Sequence, residues 1–214
     1  MPGALALLHT SPVHVPVFEA LRDTDHPGLA LRHLVYEDLL ARARDAGPEA
    51  VQGEIQALLA GAVAEGASAV LCTCSTIGGV ADSAAAALGV PVLRVDRPMA
   101  ADAVGRGRGR VVVLAALADT LAPTLALLAE EAGDRAADIR TVLVEGAWAR
   151  FEAGDRDGYL ELVAAAADRV ADADAIVLAQ ASMADAVTRT VTRIPVLSSP
   201  RPGLAAAAAA AAAH

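Results

Sequence analysis

The sequence predicts an α/β fold: two pseudo-symmetric lobes, each a short, mostly parallel sheet flanked by helices, with an active site in the cleft between the lobes. Three observations carry that expectation. Short apolar runs alternate with Ala-rich helical stretches along nearly all 214 residues, the pattern of parallel strands joined by helical crossovers. The segment Pro91-Val-Leu-Arg-Val-Asp-Arg-Pro98 is answered by Pro195-Val-Leu-Ser-Ser-Pro-Arg-Pro202, with proline, valine, leucine, arginine and proline at equal offsets. Each copy follows a buried strand, a serine-containing turn and an Ala-rich helix, so the repeating unit is a whole α/β lobe. The predicted domains are residues 1–98, with a closing helix of residues 201–214 packing back on them, and residues 99–200.

Residues 4–8 form a first strand that ends at His9, Thr10 and Ser11. The following stretch, with His14 and His26, reads as a loop. Residues 31–36 make a second strand, interrupted by Arg32 and His33. Gly47-Pro48 opens a helix in the permitted place, and Val51, Ile55, Leu58, Leu59 and Val63 recur at helical spacing until Gly66 stops it. Residues 69–72 read as a strand buried on both faces, because no polar residue interrupts them. A helix over 79–88 and a short strand over 91–95 complete the lobe.

In the second half, Asp96-Arg97-Pro98 leads into a helix that ends in Gly105-Arg-Gly-Arg-Gly-Arg110. These glycines precede a strand, whereas a dinucleotide fingerprint follows one and opens a helix, so they read as a linker. Strands follow at 110–117, 139–144, 175–179 and 195–197. Helices run from an Asp119-Thr120 N-cap to Glu131, over 159–171, and to about Thr190. Residues 146–157 read as a polar loop carrying Trp148 and Phe151, either a cover for the cleft or a local packing cluster.

Composition narrows the chemistry. Hydrophobic residues make up 55% of the chain but aromatics only 2%, which implies a tight core of small side chains. A net charge of −9, with no long arginine cluster, argues against nucleic acid as a partner. The chain has no lysine. A Schiff-base lysine for pyridoxal phosphate, a P-loop lysine and a lysine general base are therefore all excluded. Residues 4–8 are too short for an export signal, and the terminal alanine tract is too short and too weakly apolar for a membrane span. Cys72 and Cys74 are too close for an ordinary disulfide, so a reducing cytoplasm is the expected setting.

The stretch Ser68-Ala-Val-Leu-Cys-Thr-Cys-Ser-Thr-Ile-Gly-Gly79 looks chemical. It places Cys74 where a buried strand ends and a helix begins, the edge at which parallel sheets bind ligands. Free N–H groups at a helix start favour a thiolate and receive anions. Cys72, inside the strand, reads as a core residue. His9 lies at the same edge and either pairs with Cys74 or satisfies backbone groups. A metal site from Cys72, Cys74, His9 and His14 is a weaker reading, since Cys-x-Cys with scattered histidines is a poor ligand signature.

With Cys74-Ser75-Thr76 after the first-lobe strand and Leu178-Ala179-Gln180-Ala181-Ser182-Met183 at the matching place in the second, the chain resembles the aspartate/glutamate/hydantoin racemase superfamily. That superfamily also includes maleate isomerases and arylmalonate decarboxylases. The resemblance implies a cofactor-independent isomerase or lyase acting at the carbon alpha to the carboxylate of a small acid, in a family that is often dimeric. It implies a thiolate that removes the α-proton and a second thiol that returns one on the opposite face. Here the second thiol is missing: Gln180 or Ala181 stands in its place. The resemblance therefore implies Cys74 as base, acid or nucleophile, with Ser75, Thr76, Gln180 and Ser182 binding substrate and Thr10, Ser11 and Thr120 lining the same cleft. One thiol suffices for decarboxylation followed by protonation, for thiol addition to a double bond, or for exchange with retention. A non-catalytic carboxylate-binding protein is the alternative outside enzymology.

Overall fold

A computed structural model describes residues 3–214, and the chain divides into two compact units. One comprises the described residues up to Val95 together with Pro200–His214; the other is Asp96–Ser199.

In the first unit, Ala4–His9 (β1) leads through a 3-10 turn at Pro12–His14 into Val15–Asp25 (α1). Leu31–Val35 (β2) and Glu37–Ala46 (α2) follow, then a 3-10 turn at Pro48–Val51 and Gln52–Ala64 (α3). Ala67–Cys72 (β3), Ser75–Ser83 (α4), Ala85–Leu88 (α5) and Val92–Arg94 (β4) come next. The second unit opens with Arg97–Gly105 (α6) and Arg110–Ala115 (β5). A turn at Ala118–Thr120, Leu121–Ala132 (α7) and Asp138–Leu143 (β6) continue it. Ala147–Glu152 (α8), Arg156–Asp168 (α9), Ala175–Leu178 (β7), a 3-10 segment over Ala181–Arg189 and Val196–Leu197 (β8) complete it. Pro200–Ala212 (α10) returns to the first unit.

Both sheets are wholly parallel, with orders β2-β1-β3-β4 and β6-β5-β7-β8. Their registers correspond. Leu8 faces Cys72 in the first sheet, and Leu114 faces Leu178 in the second. Val70 N–H donates to the Pro91 carbonyl at 2.9 Å, and Ile176 N–H to the Pro195 carbonyl at 2.8 Å. The octapeptide repeat is thus a repeat of strand pairing.

Each sheet carries a core on both faces, which is why its central strands are continuous apolar runs. Ala6, Leu8, Val70 and Cys72 pack with Leu39, Ile55, Leu59 and Ile77 on one face. Leu5, Leu7, Ala69 and Leu71 pack with Phe18, Leu204, Ala207 and Ala211 on the other. In the second unit Leu114, Ile176 and Leu178 meet Leu160 and Val163, while Val111, Val113 and Val177 meet Met99, Leu127 and Leu128. The alanine tract is therefore a packing helix of the first unit. Gly203 is needed there, because an added Cβ would lie 2.4 Å from the Val95 carbonyl oxygen.

Several elements differ from the sequence expectation. The stretch taken as a loop after Ser11 holds α1, which Pro16 enters at a position where proline is tolerated. Helix α2 has no counterpart in the sequence expectation. Helix α4 begins at Ser75 and not at 79, so Gly78 and Gly79 lie inside it. The polar loop of 146–157 contains α8 and the start of α9. The segment after Gln180 is 3-10 throughout. Among the described residues, no helix is long and apolar enough to cross a membrane.

Candidate functional site

Buried strand β3 ends at Cys72, and two residues later Cys74 occupies the N-cap of α4 with extended backbone, φ −108° and ψ 117°. Its side chain does not cap the helix, so the sulfur is not spent on the first-turn N–H groups, which have no partner within the helix. Cys74 is half-buried, whereas Cys72 is fully buried and both are free thiols. Cys72 Sγ donates to the Cys74 carbonyl at 3.6 Å and packs in the core, in keeping with its structural reading. Ser75 is buried and Thr76 half-buried in the first turn.

The other predicted residues of the first unit share this edge. Thr10 follows the end of β1 and is buried; Ser11 is the half-buried N-cap of the next turn. Inside α4, a Cβ on Gly78 would lie 3.0 Å from Arg94 Nε. The glycine thus gives room to the side chain of Arg94, a residue only 6% exposed. Arg94 pairs in register with Cys72 and is a candidate the sequence reading missed; the glycines were its only signal.

His9 does not form the Cys–His pair considered from the sequence. It is fully buried, and both ring nitrogens are engaged, Nδ1 with Thr73 Oγ1 and Nε2 with His33 Nδ1, each at 2.8 Å. Burial first, then His33 and His14, push its pKa down to about 3. It stays neutral near pH 7. No cluster of three His, Cys, Asp or Glu side chains among the described residues is arranged to hold a metal.

The second unit repeats the layout. β7 ends at Leu178, and two residues later Gln180 is the N-cap of the following 3-10 segment, again with extended backbone. Gln180, and not Ala181, is therefore the counterpart of Cys74. Its Oε1 accepts from Ala116 N–H at 2.9 Å, while its buried Nε2 has no partner. Ser182 corresponds to Thr76, but its hydroxyl is 2.9 Å from the Tyr159 hydroxyl. Burial pushes that phenol up to about 12, so it is protonated. Thr120 is buried at the N-cap of α7 without a side-chain capping bond. Trp148 stacks on Phe151 with ring centroids 4.9 Å apart, and Phe151 meets Tyr159 at 5.3 Å. All three pack on the second unit's core, so they form a local cluster.

The family model for Asp/Glu/Hydantoin racemase matches residues 15–213. No curated protein sequence matches significantly. Among solved structures, an Asp/Glu racemase described from Yersinia pestis superposes with a TM-score of 0.69 at 15% identity, covering 97% of this chain and 99% of that one. A Thermus thermophilus glutamate racemase in complex with β-chloro-D-alanine gives 0.68 at 18% identity, covering 99% and 81%. A glycine-to-cysteine variant of arylmalonate decarboxylase, in its sulfate-associated form, gives 0.64 at 20% identity, covering 97% and 93%.

Proposed function

The chain belongs to the Asp/Glu/hydantoin racemase family, and from that membership we propose that it is a cofactor-independent isomerase or lyase acting at the carbon alpha to the carboxylate of a small acid. The observation that carries this reading is the matched pair of strand ends: Cys74 caps the helix after β3, and Gln180 stands at the same place after β7. Cys74 stands at a helix start whose first-turn N–H groups have no partner within the helix, and its side chain does not cap them. Cys74 then removes the α-proton and returns it from the same side. Alternatively, it protonates the carbanion left when CO₂ departs. An amide can do neither.

The remaining residues bind. First-turn N–H groups beside Ser75 and Thr76 receive the substrate carboxylate or the enolate that develops from it. Gln180 Nε2, a donor without a protein partner, serves a substrate oxygen. Thr10, Ser11, Thr120 and Ser182 line the strand ends. The single thiol favours, as a second reading, decarboxylation of a malonate-like acid over two-base inversion.

The test is a panel of amino acids, hydantoins, maleate and malonates in deuterated water. Deuterium uptake with retained configuration, or CO₂ release, is expected. Cys74→Ala should lower the rate about 10²–10⁴-fold, while Cys72→Ala keeps turnover and loses stability. Gln180→Cys should raise racemisation of whichever enantiomer the wild type exchanges. Efficient racemisation by the unmodified protein would overturn the one-thiol account.

A further inference from the structure

We propose that Glu19, His33, His9 and Thr73 form a one-proton relay that positions the strand end carrying Cys74; the inference rests on the reading of Cys74 as the reactive thiol. The four side chains form an unbroken line inside the first unit. Thr73 Oγ1 is 2.8 Å from His9 Nδ1, His9 Nε2 is 2.8 Å from His33 Nδ1, and His33 Nε2 is 2.9 Å from Glu19 Oε1. Arg22 is ion-paired with the other carboxylate oxygen of Glu19. Thr73 and Cys74 are neighbours that turn to opposite faces of the sheet. Thr73 meets His9, which packs on Phe18, whereas Cys74 packs on the core of Leu8 and Ile77. The relay therefore grips the peptide from behind without occupying the thiol's side.

Hydrogen-bond direction gives the line two self-consistent states. A carboxylate held by Arg22 only accepts, so His33 Nε2 carries a proton. With His33 neutral, its Nδ1 must accept from His9 Nε2–H. His9 Nδ1 then accepts from the Thr73 hydroxyl. One added proton reverses everything. His33 becomes an imidazolium that donates to both Glu19 and His9 Nε2. His9 moves its proton to Nδ1 and donates to Thr73, whose hydroxyl turns to the Leu8 carbonyl 3.0 Å away. That carbonyl also accepts the Thr73 N–H at 3.0 Å, so neither state leaves it orphaned.

Other charges around the line are His14 from the turn after β1, whose ring lies 6.3 Å from that of His9, and Arg22 with Asp23 on α1. Helix α10, packed on α1, brings Arg201, paired with Asp25. Arg32 of β2 pairs with Glu65 instead. The half-exposed Glu19 end is where a proton enters, and the buried Thr73 end is where its arrival is felt.

Two measurements on the full chain test this. Nitrogen-edited NMR of the imidazoles should find His9 protonated on Nε2 at the high end of about pH 5–8 and on Nδ1 at the low end. Glu19→Gln should move that transition to lower pH, because it removes the anion that favours the added proton. Site-resolved alkylation of Cys74 by iodoacetamide should change about threefold or more in Thr73→Val and return in Thr73→Ser. A reactive Cys74 beside a His9 tautomer fixed across the range, or a Thr73→Val profile matching wild type, overturns the relay alone. An unreactive Cys74 overturns the proposed function, and the positioning role with it.

Discussion

Burial, with His33 and His14 adding to it, lowers the pKa of His9 from 6.5 to about 3, and burial lowers that of His14 to about 4. Unfolding returns both imidazoles to ordinary basicity. Between their folded values and 6.5, the unfolded chain thus binds more protons than the folded one, and stability rises with pH. The contribution is fully present above about pH 6.5 and is lost as pH falls toward 4 and then 3. The urea midpoint of the wild type is expected to drop between pH 7 and pH 5, and that of His14→Gln to drop less. An equal drop would place the acid sensitivity elsewhere. At this scale the sequence displayed Cys74 plainly, since an apolar run, a thiol and two hydroxyls are contiguous. The partners of His9 were hidden: Thr73 is 64 residues away and His33 24 residues away. Their meeting depends on strand register, which no local pattern encodes. The choice between Gln180 and Ala181 likewise waited for the register of β7.

Among the elements, the strands were legible because both faces of each central strand are buried, leaving uninterrupted apolar runs. The helices were less so. Helix α1 has a proline in its first turn and a histidine at its N-cap, after a turn that opens with Pro12, and these mimic a loop. Helix α4 contains the glycine pair that yields to Arg94, so its beginning was displaced. Helix α10 was expected as a closing helix on the first lobe, and it lies there, but the face that docks was not legible, since alanine is equally at home on either face of a helix. Its docking can be tested at Gly203. Alanine there improves helix propensity by about 1 kcal/mol, yet its Cβ would meet Val95 O at 2.4 Å and Val95 Cγ2 at 2.7 Å. Overpacking of that kind costs about 1–3 kcal/mol, and the backbone oxygen cannot rotate away. Gly203→Ala should lower the unfolding midpoint, whereas alanine for the open Gly61 should not.

For the whole molecule, the two units are repeats in topology but unequal in continuity. The second is one uninterrupted segment, Asp96–Ser199, with both faces of its sheet covered by its own helices. In the first, one face of β1 and β3 is covered partly by Leu204, Ala207 and Ala211. A fragment of residues 96–199 should therefore unfold cooperatively in urea. A fragment of residues 1–95 should not, until residues 200–214 are joined to it by a short linker. Cooperative unfolding of 1–95 alone would show that α10 is dispensable.

That arrangement also sets a timetable for a growing chain. The first unit starts to emerge before the second but is completed after it: Leu5, Leu7, Ala69 and Leu71 meet Phe18 of α1 early, yet lack Leu204, Ala207 and Ala211 until α10 clears the exit tunnel. By then the second unit has already emerged whole. Until then the nascent first unit carries an apolar sheet face that α1 covers only in part, the kind of surface that recruits holding chaperones and invites aggregation when translation stalls.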